Sequence, residues 1–133
     1  MEKGLALKMK KDISKKSNPA KLFSCLLNSI TQTHIFHLQT TKYSEHMALG
    51  SYYESVGDLA DSLIEAYQGK YGIVKGYTSE PLTNIKDCVG YFEELHKEVD
   101  DARSLFTDTD LLNTLDEVKS LIKSTLYKLK YLS

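Results

Sequence analysis

An all-α fold, a four-helix bundle behind a basic N-terminal tail, is predicted by three observations. Apolar residues recur at steps of three and four in four separate stretches, capping residues stand at the starts of these stretches, and no alternating strand pattern competes with them. At 133 residues, with 41% hydrophobic and 26% charged side chains, the chain suits one domain with its own core. Residues 1–17 read as a solvated, Lys-rich tail and residues 18–133 as the bundle.

The first helix is expected to start at Asn18-Pro19, where Asn caps and Pro takes the first helical position, and to run to about Gln39. Its apolar stripe is Phe23, Leu26, Leu27 and Ile30; helical steps extend it onto His34 and His37, which are therefore expected to face inward. The second helix is expected from about Ser44 to Gly69, with His46, Leu49, Tyr53, Val56, Ala60, Leu63, Ile64 and Tyr67 inward. Beside that stripe runs an acidic one, Glu54, Asp58, Asp61 and Glu65. Gly50 and Gly57 interrupt the helix, each costing about 1 kcal/mol relative to Ala in an exposed interior, and would let another helix come close.

Ser79-Glu80-Pro81 reads as the start of the third helix, which would carry Leu82, Ile85, Val89, Phe92, Leu95, Val99, Ala102 and Phe106. Thr107 to Asp110 is a turn with a cap for the fourth, whose stripe is Leu111, Leu115, Val118, Leu121, Ile122, Leu126, Leu129 and Leu132. The short links make antiparallel neighbours within each pair. The middle link, about twelve residues, spans ~40 Å at full stretch, against a second helix ~37 Å long. Both an up-down-down-up bundle with a straight crossover and an up-down-up-down bundle with a loose loop satisfy these lengths.

Net charge is −1, unevenly placed. Lys3, Lys8, Lys10, Lys11, Lys15 and Lys16 against Glu2 and Asp12 give the tail +4, which leaves −5 on the rest. A basic arm on an acidic body would neutralise phosphates without reading sequence, so Lys8, Lys10, Lys11, Lys15 and Lys16 are candidates for non-specific DNA contact. No apolar run approaches the length of about eighteen residues that a membrane span needs. The starting lysines lead into no hydrophobic segment of signal type, so a cytoplasmic location is expected, in a bacterium or in the host of a phage. Cys25 and Cys88 form no CxxC and read as two buried thiols.

The chemistry is concentrated between His34 and Tyr67. His46 follows His34 by 12 residues, Asp61 follows His46 by 15, and Glu65 follows Asp61 by 4, one helical turn. Asp61 and Glu65 thus share a helix face and can address one cation. The polar run Thr40-Thr41-Lys42 and the capping Ser44 put the two histidines on different elements. Imidazole with carboxylate suits iron, zinc or manganese. The plain alternative is a pair of core histidines hydrogen-bonded to Tyr or Thr. Glu93 and His96 make a lone Glu-x-x-His pair, read as a solvated charge beside a partly buried ring.

With a Lys-rich tail before the first helix and the acidic pair on a long second helix, the His34, His46, Asp61, Glu65 pattern is similar to that of the Dps family of mini-ferritins. The resemblance implies a ferritin-like four-helix bundle that forms a homo-oligomer, with a dimer as the minimal unit and hollow shells of twelve known in the family, binding iron or another divalent metal between chains, with ferroxidase activity. His34 and His46 of one chain would face Asp61 and Glu65 of its dimer partner. The chain departs from the family at Gly50, where an aspartate usually stands one turn after the second histidine, and at Ile35, where a tryptophan is usual; it has no Trp at all. Asp58, Glu54 or His37 would have to stand in for the missing ligand.

A second reading uses the link Gly69 to Tyr77. It lacks the order of a phosphate loop, yet Lys70, Tyr71, Lys75 and Tyr77, with Tyr53, are of the types that hold an anionic, ring-bearing ligand. On this reading the metal site has decayed, and a phage-type accessory protein sequesters a nucleotide signal at an oligomer interface. The plain alternative is a linker with surface tyrosines.

Overall fold

The computed structural model describes residues 18–133; the lysine-rich segment 1–17, with its expected DNA contacts, lies outside the described residues. Four α-helices make up the described chain: α1 (Ala20–Gln39), α2 (Tyr43–Tyr71), α3 (Cys88–Ala102) and α4 (Thr109–Tyr131), with a 3-10 turn at Arg103–Leu105 before the last. Among the described residues no helix is long and apolar enough to cross a membrane.

The start of α1 follows the expected chemistry, since the Asn18 side chain accepts the Ala20 N–H at 3.1 Å. Two boundaries differ from expectation. α2 continues through Gly69 and stops at Gly72, which takes a φ of 95° that favours glycine. Lys70 and Tyr71 both bind Asp108 at the start of α4, which holds the extra half-turn helical.

α3 starts at Cys88, not at Ser79-Glu80-Pro81, and Asp87 caps it by accepting the Gly90 N–H at 3.0 Å. Residues 72–87 have no regular secondary structure because side chains of α1 and α2 take up their backbone groups. Gln68 accepts Val74 N–H at 3.0 Å and Ser24 accepts Thr78 N–H at 3.0 Å. Gln32 accepts Thr83 N–H and donates to Thr83 C=O, both at 2.8 Å, while Gln39 accepts Ile85 N–H at 2.7 Å. Leu82, expected on a buried helical stripe, is exposed.

These bonds fix the topology. Ser24, Gln32 and Gln39 meet Thr78, Thr83 and Ile85 in the same order, so the link runs parallel to α1 along its length. α3 therefore begins at the end of the bundle where α1 finishes, and the order is up-down-down-up. The α1–α2 and α2–α4 contacts are the most extensive and α3–α4 comes next; α1 and α3 touch far less.

The core holds Phe23, Leu26, Leu49, Tyr52, Val56, Leu63, Phe92, Val99, Leu115, Val118 and Ile122, each fully buried. Phe92 stands edge-on to Tyr52 at 4.8 Å. α1 corrects the expected stripe: its buried face is Leu22, Phe23, Leu26, Ser29, Thr33 and Phe36, and Leu27 is exposed. Polar residues are buried there because each has a partner. Ser29 Oγ bonds Leu26 C=O at 2.7 Å and the Tyr52 hydroxyl at 2.8 Å, and Thr33 Oγ1 donates to Ser29 C=O at 2.7 Å.

Candidate functional site

The turn between α1 and α2 gathers three histidines and Tyr53. His34 and His37 lie in the last turns of α1 and His46 in the first turn of α2. Neither α1 histidine faces the core as expected: His34 is exposed and His37 half-buried, because Thr33 and Phe36 take the inward positions. The His37 and His46 rings stack at 3.6 Å with 18° between planes. His34 stacks on Tyr53 at 4.3 Å, and His37 meets Tyr53 edge-on at 5.3 Å.

The stacked pair is bonded reciprocally. His37 Nδ1 donates to the His46 carbonyl at 2.6 Å, and His46 Nδ1 donates to the His37 carbonyl at 2.8 Å. A carbonyl only accepts, so both rings carry hydrogen on Nδ1, and in the neutral rings the lone pair is on Nε2. Gly50 makes room for this: a Cβ there would stand 3.1 Å from Cε1 of His37. A metal bound by imidazole lies in the ring plane, so two nearly parallel rings 3.6 Å apart cannot both ligate one ion as they stand.

The acidic stripe Glu54, Asp58, Asp61 and Glu65 is exposed along α2, and none of the four forms an ion pair among the described residues. Glu54 and Asp61 each follow by one turn a glycine that faces α1, Gly50 against His37 and Gly57 against Ile30. Asp61 lies 15 residues beyond His46 on one continuous helix, ~22 Å along its axis. The chain thus brings its histidines together and its carboxylates together, but not the two sets. Among the described residues no three His, Cys, Asp or Glu side chains are placed to hold a metal ion.

The residues of the second reading are dispersed. Tyr53 sits with His34, 18 residues from Tyr71 on the same helix. Lys70 Nζ and the Tyr71 hydroxyl hold the two oxygens of Asp108, tying the end of α2 to the start of α4. The hydrogen bond from Lys70 holds the Asp108 carboxyl below its ordinary value, and the same bond raises the Lys70 ammonium. Lys75 and Tyr77 are exposed on the crossover.

The comparisons locate the chain in one family. A family model described as a family of unknown function, DUF5856, matches residues 37–129. The chain belongs to DUF5856. No curated protein and no solved structure matches it. The DUF5856 match begins at His37 and takes in His46, Gly50, the acidic stripe and the Lys70–Asp108 tie, while His34 lies before it.

One further feature of this DUF5856 chain has no local signal in its sequence. Cys25 Sγ donates to Glu98 at 2.8 Å beside a groove of about 620 Å³ that includes Lys21, Ser24, Thr78 and Glu80. Burial, then the bond to Glu98, raises the thiol well above its ordinary value, so Cys25 is a poor nucleophile. The partners are 73 residues apart, beyond any spacing rule. On α3, His96 Nε2 is buried with no hydrogen-bond partner, while Glu93 is exposed and pairs with Lys130 at 3.2 Å.

Proposed function

We propose that the chain is a ferritin-like bundle that binds a divalent transition metal at a site shared between two copies, His34 and His46 of one facing Asp61 and Glu65 of the other. One observation carries the reading: nitrogen and oxygen donors stand at opposite ends of one exposed flank, 15 residues apart on a single helix. A two-fold axis through the middle of that flank sets each end against the other end of a second copy. The long straight crossover supports the ferritin-like part, since one such connection is how those bundles are wired. The donor types suit iron, zinc or manganese. Metal binding does not require oxidation, and with His37 in the space over Gly50 the proposal is a binding site, to which ferroxidase activity would be an addition. The anionic-ligand reading has less behind it, because Lys70 and Tyr71 are already occupied by Asp108.

Complementation between variants tests the shared site. Untagged His46→Ala and Asp61→Ala proteins are each expected to take up far less Fe(II) or Zn(II) than the wild type. Unfolded and refolded together, they form mixed pairs in which one of the two sites keeps all its ligands, so uptake returns in part. A wild type that is monomeric and metal-free, or variants that bind as the wild type does, would remove the reading.

A further inference from the structure

His37 has a part that ligand spacing does not give it. Its ring is held on three sides: it lies over Gly50, where a Cβ would come within 3.1 Å, stacks on His46 at 3.6 Å and meets Tyr53 edge-on at 5.3 Å. Its Nδ1–H is bonded to the His46 carbonyl at 2.6 Å, so it fixes the backbone of residue 46 as well as one face of that residue's ring. His46 returns the bond through its own Nδ1 at 2.8 Å. An imidazole whose Nδ1–H is tied to a carbonyl has its tautomer and ring plane set in advance, and its Nε2 is the nitrogen left to a ligand.

We propose that His37, seated over Gly50, is a positioning residue that holds His46 in the Nδ1–H form and orients its Nε2 for a divalent metal of the zinc and cobalt class. This rests on the reading of His46 as a ligand. His37 is not a co-ligand of the same ion, because its plane is nearly parallel to that of His46 and displaced from it. The assignment gives a reason for residue 50 to have no side chain: an alanine Cβ would stand 3.1 Å from Cε1 and 3.3 Å from Nδ1 of His37, so the positioning ring would have to shift.

Two measurements on the full chain test it. In the metal-free protein, long-range proton–nitrogen NMR is expected to show His46 as a single Nδ1–H tautomer in the wild type and in His37→Phe, which keeps the stacked ring. Averaging between tautomers is expected in His37→Ala and in Gly50→Ala. In titrations with Zn(II) or Co(II), His37→Ala and Gly50→Ala should bind ~10-fold more weakly, the lower end of what loss of an orienting partner costs, because the stacked ring is lost or displaced while the residue 37 carbonyl still receives the His46 Nδ1–H. His37→Phe should recover much of that loss with an unchanged Co(II) absorption spectrum. A Co(II) spectrum that loses a nitrogen ligand in His37→Phe would make His37 a ligand and overturn the proposal. Equal affinity and an unchanged His46 tautomer in His37→Ala would overturn it as well. A wild type that binds neither metal removes the reading of His46 as a ligand, and the positioning role with it; that result is distinct from wild type and His37→Ala binding equally.

Discussion

The two helix pairs of the bundle are held by different kinds of contact. The buried contact between α3 and α4 is apolar, Phe92, Leu95 and Val99 with Leu111, Leu115, Val118 and Ile122, and its directional contacts, Asp100–Lys119 and Glu93–Lys130, are ion pairs at the surface. α1 and α2 meet through glycines, ring stacks and directional hydrogen bonds: Ser29 to Tyr52, His37 and His46 to each other's backbone, Gly50 beneath a ring. Apolar contacts tolerate sliding and repacking, whereas directional bonds fix one register. The pair that carries the candidate donors is therefore the pair whose geometry is specified atom by atom.

Large-to-small substitution in the apolar core should give the largest effect. Phe92→Ala removes a fully buried ring in contact with Tyr52 and is expected to cost about 3–5 kcal/mol in urea unfolding. On the directional side, Ser29→Ala leaves the buried Tyr52 hydroxyl without its partner, and the expected cost is about 1–3 kcal/mol. Adding Tyr52→Phe to it should restore most of that loss, because the orphaned hydroxyl goes too. A Ser29→Ala protein as stable as the wild type would erase the distinction between the two pairs.

The same contrast governs what could be read from the sequence. The stripe of α4 from Leu111 to Ile122 and the buried positions of α3 from Phe92 onward were legible, because period and burial coincide there, whereas Leu132, expected on the same stripe, is exposed beyond the end of the helix. The inward face of α1 was not: Ser29, Gln32 and Thr33 are buried by virtue of bonds to Tyr52, Thr83 and the helix's own backbone, which no apolar pattern announces. The late start of α3 has the same cause. Ser-Glu-Pro is a sound local start signal, overridden by side chains of α1 about fifty residues earlier in the chain that capture the backbone of the link. In the candidate site, spacing correctly placed the histidines on two elements and the acids on one helical turn. The reciprocal bonding of His37 and His46 was out of its reach, since it depends on the angle of the α1–α2 turn.

Alkali sharpens the comparison by acting on buried acids at both seams. Burial, then the charge of Glu45, pushes the Cys88 thiol up from 9.0 to about 12. Burial likewise raises the Tyr52 and Tyr91 phenols above 10.0. Each group keeps its proton in the folded protein while the unfolded chain gives its own up. The stabilisation is complete below pH 9 and is lost as pH rises toward the folded values. The melting temperature should fall progressively above pH 9, with Cys88 accounting for about 1 kcal/mol by pH 10. Cys88→Ala should flatten the onset between pH 9 and 10, and an unchanged slope in that variant would exclude the thiol as its source.

The smallest effect should be of the opposite sign. His96 is the one described residue with a buried side-chain nitrogen that lacks a partner, and it sits beside Phe92 and Val99 on α3, where no hydrogen-bonding group reaches its Nε2. A buried polar atom without a bond costs stability, and an apolar replacement removes that cost while filling similar space. His96→Leu is expected to raise the unfolding free energy by about 1 kcal/mol, whereas His37→Ala, which deletes a bonded ring, should lower it. Two histidines in one small bundle would then respond to truncation with opposite signs, for the same reason that the two helix pairs differ. A His96→Leu protein less stable than the wild type would mean that Nε2 has a partner after all, and that the buried part of the α3–α4 seam contains a directional contact as its surface does.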